Sequence, residues 1–192
     1  PGTNGVIVPP DGYLQSIREI CDRHGILLVL DEVMAGFGRT GRWFACDHWD
    51  VVPDIMTVAK GINSGYVPLG AMIINERLSD WVSDRFFAGG LTYSGHPLAC
   101  AAGVASIEAF REEGIVENAA AMGDVLRDEL FPPLEVAHPS VGEVRGLGLF
   151  WMIELVKNRE TREMLVPYNA SGDAAAPVAR LTKAAMERGL YL

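Results

Sequence analysis

The chain has 192 residues, of which 49% are hydrophobic, enough to bury the core of one ordinary domain or parts of two, which excludes a disordered chain. Acidic residues outnumber basic ones 25 to 16, for a formal charge of −9, and they are scattered, so a phosphate backbone finds nothing to grip and nucleic acid is not an expected partner. No apolar run reaches the roughly 18 residues of a membrane span, and the opening "PGTNGVIVPP" lacks the basic region and apolar stretch of a signal peptide, so no membrane partner is expected either.

From Asp11, "DGYLQSIREICDRHG" sets Leu14, Ile17, Ile20 and Cys21 at helical spacing and ends on Gly25, a usual place for a helix-terminating glycine. An amphipathic helix is predicted there. "ILLVLDE" follows, and its five consecutive apolar residues read as a strand buried on both faces, as in parallel sheets covered by helices. "VVPDIMTVA" and "PLGAMIIN" supply two more short strands, so the expected class is α/β with a mostly parallel sheet. The alanine-rich "HPLACAAGVASIEAFREEGIVENAAAMGDVLRDEL" predicts a long helical region bent near Gly114 that links two domains. After "FPPL", "VGEVRGLGLFWMIELV" reads as a pair of strands or one long strand; a polar loop, "KNRETREMLVPYNASGD", and the helix "APVARLTKAAMERG" come next. The chain closes on "RGLYL", which resembles the start of a strand, and with its Pro/Gly-rich opening it is expected to be a fragment of a longer enzyme. The three cysteines, Cys21, Cys46 and Cys100, form no CxxC pair and read as reduced structural thiols of a cytoplasmic protein. His48, His96 and His138 have no spacing that suggests a metal site.

In open α/β sheets, ligands bind outside the carboxyl ends of the strands. Two such ends carry ionisable groups: "LLVLDEV" delivers Asp31 and Glu32, and "IMTVAK" delivers Lys60. If the strands are neighbours, Asp31 and Lys60 open into one crevice. The plain alternative is a solvated salt bridge at the sheet edge. Gly61, Gly65 and Gly70 surround the lysine and Gly36, Gly38 and Gly41 follow the aspartate, which would let backbone approach a ligand closely. A lysine in a partly dry crevice is driven toward its neutral, nucleophilic form, as a Schiff base with an aldehyde requires, and an aspartate beside it can partner a protonated ring nitrogen. Together the two suggest pyridoxal phosphate (PLP).

"LLVLDEVMAGFGRTG", then "HWDVVPDIMTVAKGINSGYVPLGAMIIN" and "GLTYSGHPLACAAGVASIEAF", resembles the class III, or ω-amino acid, aminotransferases, a family of fold type I PLP enzymes, over nearly the whole chain. The resemblance implies that residues 1–110 are the C-terminal part of the large PLP-binding domain with its linking helix, and residues 111–192 part of the small α+β C-terminal domain. It implies Lys60 as the Schiff-base lysine, Asp31 as a buried partner of the pyridine nitrogen, and Val33 as packing on the ring. Thr92, in "LTYSGHP", matches a threonine that reaches the phosphate of the neighbouring subunit, so a homodimer with shared sites is implied. Where many members carry a glutamine after "DEV", this chain has Met34, which lacks a comparable donor and is more like the branch that uses pyruvate. Arg145 reads as the structural partner of Glu143 or Glu154, and Arg39, Trp43, Phe44 and Trp49 as packing around the loop after the first strand. His96 reads as a positioning group at a helix start.

The reaction implied is transamination, from an amine or ω-amino acid donor to a keto acid acceptor such as pyruvate, with Lys60 as nucleophile and proton carrier. The alternatives are an aminomutase or decarboxylase on the same scaffold, or a fragment that only binds or dimerises when isolated.

Overall fold

The computed structural model describes Gly2 and residues 5–191. Pro1, Thr3 and Asn4 of the opening loop and Leu192 of the expected last strand lie outside the described residues. The chain forms two compact units: residues up to Val125 together with Gly146–Trp151, and Leu126–Arg145 together with Met152 onward.

In the first unit, α1 (Tyr13–His24) ends where Gly25 turns left-handed at φ 63°, and the Ile26 amide closes the turn on the Cys21 carbonyl at 2.8 Å. Cys21 on its buried face packs with Leu28 and Val51, flanked by Leu14, Ile17 and Trp49. The three strands β1 (Val29–Asp31), β2 (Ile55–Val58) and β3 (Ala71–Ile74) form one sheet in that order. β1 and β2 are parallel, with Asp31 opposite Thr57, whereas β3 is antiparallel to β2. The link from β2 to β3 carries a 3-10 turn, Lys60–Ile62, and no α-helix, and β3 returns antiparallel, which a mostly parallel sheet accommodates. The apolar run before Asp31 is less buried than expected: Leu28 is in the core, but Ile26, Leu27 and Val29 are exposed.

A second cluster joins Phe37, Cys46, Met56 and Val58 to Trp43, Phe44, Ile107 and Phe110, and Leu30 packs against both clusters. Ile107 and Phe110 come from α3 (Pro97–Glu112), and Gly114, at φ 62°, separates it from α4 (Ile115–Val125). The bend expected near Gly114 is thus a complete break. α4 stays with the first unit because Val116 and Ala119 are buried, and Ala120 lies so near Gly41 that a Cβ there would sit 2.9 Å from its Cα.

Two helices were not foreseen in the sequence, one in each unit. α2 (Glu76–Ser83) is capped by Asn75, whose side chain accepts the Leu78 amide at 3.0 Å. The same Asn75 donates to Asp54, a buried carboxylate at the mouth of β2 that also takes the Leu28 amide (2.8 Å), Arg18 of α1 (2.9 Å) and Arg77 of α2 (2.7 Å). Burial by itself would raise the Asp54 carboxyl, but the Leu28 amide and the two guanidinium groups outweigh it and hold the group well below the usual carboxylate range.

The second unit opens with a π-turn, Leu126–Leu130, and α5 (Phe131–Ala137). "FPPL" reads in sequence as a boundary, but Pro132 and Pro133 lie in the first turn of α5, where a missing amide costs nothing. β4 (Val141–Leu147) and β5 (Phe150–Asn158) are two strands rather than one, and β6 (Glu163–Met164), in the stretch expected to be loop, pairs antiparallel with β5. α6 (Ala176–Met186) follows as predicted, and Arg188–Tyr191 form no strand. Arg145 bonds Glu154 at 2.7 Å and Glu143 at 3.2 Å, the structural pairing expected of it.

Candidate active site

Parallel pairing of β1 and β2 brings their carboxyl ends side by side. Asp31 closes β1, and three residues beyond its partner Thr57 the chain reaches Lys60. Lys60 has φ +43°, a left-handed conformation that a side chain tolerates at a cost of roughly 1–3 kcal/mol and that clusters at functional sites. The next residue is Gly61, where a Cβ would stand 2.7 Å from the Cβ of Phe37. Its lack of a side chain thus lets the lysine turn pack on the core. Gly36 answers to the same need, since a Cβ there would meet the Glu32 carbonyl at 2.8 Å. These two glycines serve chain-to-chain contact, where the sequence pointed to contact with a ligand.

Asp31, Val33, Met34 and Lys60 line one cavity of about 610 Å³, with Leu14, Leu30 and Phe150 among its apolar walls. The Asp31 Oδ1 accepts the Val33 amide at 2.9 Å across a two-residue turn. Among the described residues its second oxygen takes no hydrogen bond, and neither Asp31 nor Lys60 makes an ion pair. The solvated salt bridge that was the plain alternative does not form. Both residues are exposed, however, where a buried carboxylate and a partly dry lysine were expected. They stand at and past the ends of their strands, beyond the packed layer. Val33 is half-buried. Thr92 does not line this cavity: it sits in an exposed turn just before α3, whose N-cap is His96. The structure therefore brings three of the four predicted residues together.

Glu32 was noted in sequence but given no role, and it is 3% exposed. Strand alternation sends it inward as Asp31 points out. Its Oε2 accepts the Ala45 amide (3.0 Å) and its Oε1 the Cys46 amide (2.9 Å), which ties the end of β1 to the 3-10 turn Ala45–Trp49. Burial raises the Glu32 carboxyl, and the two amides only partly offset this. Burial also pushes the Cys46 thiol up to about 12, with the charges of Glu32 and Asp47 adding to it, so this cysteine is the inert structural thiol expected. Trp43, Phe44 and Trp49 pack in the core as predicted, and Arg39 lies over the Phe150 ring at 6.0 Å. A larger cavity of about 770 Å³, bordered by Arg42, Asp47, Asp50 and Glu117, holds none of the predicted residues. Among the described residues no cluster of His, Cys, Asp or Glu could hold a metal ion, and no helix is long and apolar enough to cross a membrane.

A family model described as aminotransferase class-III matches residues 1–192. A taurine–pyruvate aminotransferase of Bilophila wadsworthia is 45% identical over 165 residues, 83% of this chain and 36% of its own length. A putrescine–pyruvate aminotransferase of Pseudomonas aeruginosa is 44% identical over 163 residues, 84% of this chain and again 36% of its own. The chain thus spans about a third of these relatives. Among solved structures, the taurine:2-oxoglutarate aminotransferase of Bifidobacterium kashiwanohense, in complex with PLP and glutamate, superposes with a TM-score of 0.89 at 45% identity, over 99% of this chain and 42% of that one. An amine transaminase from an uncultivated Pseudomonas species in a PLP-bound form gives 0.90 at 43% identity, over 99% and 42%. The α/β fold expected of a fold type I enzyme is the fold of these transaminases. Matched along its whole length, the chain belongs to the class III aminotransferase family.

Proposed function

We propose that this chain carries the lysine-bearing part of a PLP-dependent transaminase that moves an amino group from an amine or ω-amino acid to a keto acid such as pyruvate. The observation that carries this reading is the meeting of Asp31, Val33 and Lys60 in one cavity at the ends of two parallel strands. These residues fit the cofactor: among the described residues, a primary amine without an ionic partner, a carboxylate with one oxygen unengaged, and an apolar side chain beside them.

Pyridoxal phosphate, when bound, supplies an aldehyde that captures amines and a ring that takes up electrons. Lys60 Nζ is the nucleophile that tethers the aldehyde at rest. With the cofactor held there, the same nitrogen would be the base that takes the proton from the donor's amino-bearing carbon. The Asp31 carboxylate would hold the proton on the ring nitrogen, and its Oδ1 is already aimed by the Val33 amide. Val33, half-buried in the cavity wall, would pack against the ring and keep water from it. Met34 lines the same cavity without a hydrogen-bond donor, which favours the pyruvate-using branch, as do the names of the two pyruvate-dependent relatives. Thr92, in its exposed turn, is suited to reach the phosphate site of a second subunit, so the enzyme is read as a homodimer with shared sites, and the free thiols Cys21, Cys46 and Cys100 fit a cytoplasmic enzyme.

A panel of ω-amino acids and simple amines, each paired with pyruvate or 2-oxoglutarate, tests this on the full-length protein. Turnover of at least one pair is expected, with a loss of about 10⁴-fold or more in Lys60→Ala. Undiminished turnover in Lys60→Ala would remove the lysine from the mechanism.

A further inference from the structure

Asp31 is exposed, and among the described residues the one hydrogen bond that aims its carboxylate comes from the Val33 amide, two residues on. Its direction therefore depends on how firmly the backbone of residues 31–33 is held. At the centre of that segment is Glu32. Its main-chain amide donates to the Thr57 carbonyl of β2 at 2.9 Å, and its carbonyl accepts the Gly36 amide at 2.9 Å. The two carboxylate oxygens reach the Ala45 and Cys46 amides on a third piece of chain. Both polar ends of the residue are thus engaged, on β2, on the turn that carries Val33 and Met34, and on the 3-10 turn.

Holding a carboxylate in so dry a place is costly, and a neutral side chain would serve for packing alone. What an anionic carboxylate offers there is two strong acceptors for two consecutive amides at once. We propose that Glu32 is a positioning residue for Asp31, a buried clamp that fixes the end of β1 so that the Asp31 carboxylate presents its free oxygen to the ring nitrogen of the cofactor. This rests on the functional reading above.

Glu32→Gln keeps the shape but opposes an NH₂ group to one of the two amides. Ala45→Pro removes one donor from the other side; it occupies the first position of the 3-10 turn, after Phe44 at ψ 150°, which is the backbone a residue before proline adopts. The full-length apoprotein of each variant is titrated with PLP, and the melting temperature is read with and without it. Wild type is expected to bind PLP with a visible band that Lys60→Ala lacks; if it does not, the functional reading itself fails, whatever Glu32 does. Given that band, both variants are expected to bind PLP roughly tenfold more weakly, to shift the pH midpoint of the band, and to gain less melting temperature from PLP than wild type does. A residue that merely staples the fold would lower the melting temperatures with and without PLP alike. Unchanged PLP affinity and band titration in the variants that fold would overturn the assignment. So would failure of both to fold, since Glu32 would then be a staple of the fold.

Discussion

Asp31 and Asp54 are both carboxylates at the edge of one sheet, and their surroundings divide their work. Asp31 stands exposed with one oxygen unengaged, so Asp31→Asn should leave stability within about 0.5 kcal/mol of wild type while slowing turnover of the full-length enzyme roughly 10²–10³-fold. Urea unfolding and steady-state rates on the same preparation check both halves. Asp54 is buried under an amide and two guanidinium groups that hold its pKa far below the ordinary value of 3.8. A depressed carboxyl contributes stability that is fully present above the unfolded pKa and lost as pH falls toward the folded one. Asp54→Asn should therefore lower the urea midpoint clearly at pH 7, and the gap to wild type should narrow below about pH 4. A gap that does not change with pH would mean that the Asp54 charge contributes nothing beyond its shape.

At the scale of the elements, the sharpest constraint is where three pieces of chain meet without side chains. A Cβ on Gly148, in the turn between β4 and β5, would lie 2.2 Å from the Thr40 backbone, and one on Gly123 of α4 would lie 2.5 Å from Gly148 itself. Gly148 also has φ +57°. Gly148→Ala combines left-handed strain with overpacking against backbone and should cost roughly 2–4 kcal/mol in urea unfolding. Elements with a strong period were legible in the sequence: α1 ends on Gly25 as its spacing implied, and the long alanine-rich helix breaks where Gly114 stood out. α2 was missed because its 8 residues carry too short a pattern, although Asn75 before "ERL" was a capping signal. α5 was hidden by its two prolines, which usually mark a break and here occupy the first helical turn. The direction of β3 depends on the length and content of a link rather than on any residue of the strand.

For the whole molecule, the site was more legible than the packing that supports it. Asp31 and Lys60 could be paired from sequence because charged residues at strand ends are rare enough to notice, and the shared cavity followed from parallel register. Glu32 could not, since its partners, Ala45 and Cys46, are backbone amides that leave no trace in residue type. Thr92 lies away from the cavity, as a group acting on a second subunit would. If the enzyme is the proposed dimer with shared sites, mixing full-length Lys60→Ala with Thr92→Ala and allowing subunits to exchange should give more activity than either variant alone, because one of the two sites in the mixed dimer is then intact. Activity no higher than that of Thr92→Ala would argue that each subunit works by itself. The central claim is that Lys60 tethers the cofactor, and its most direct test is borohydride reduction of the PLP-loaded full-length protein followed by peptide mass mapping. The pyridoxyl label is expected on the peptide that contains Lys60 and on no other; a label on a different lysine, with Lys60 unmodified, would contradict the account.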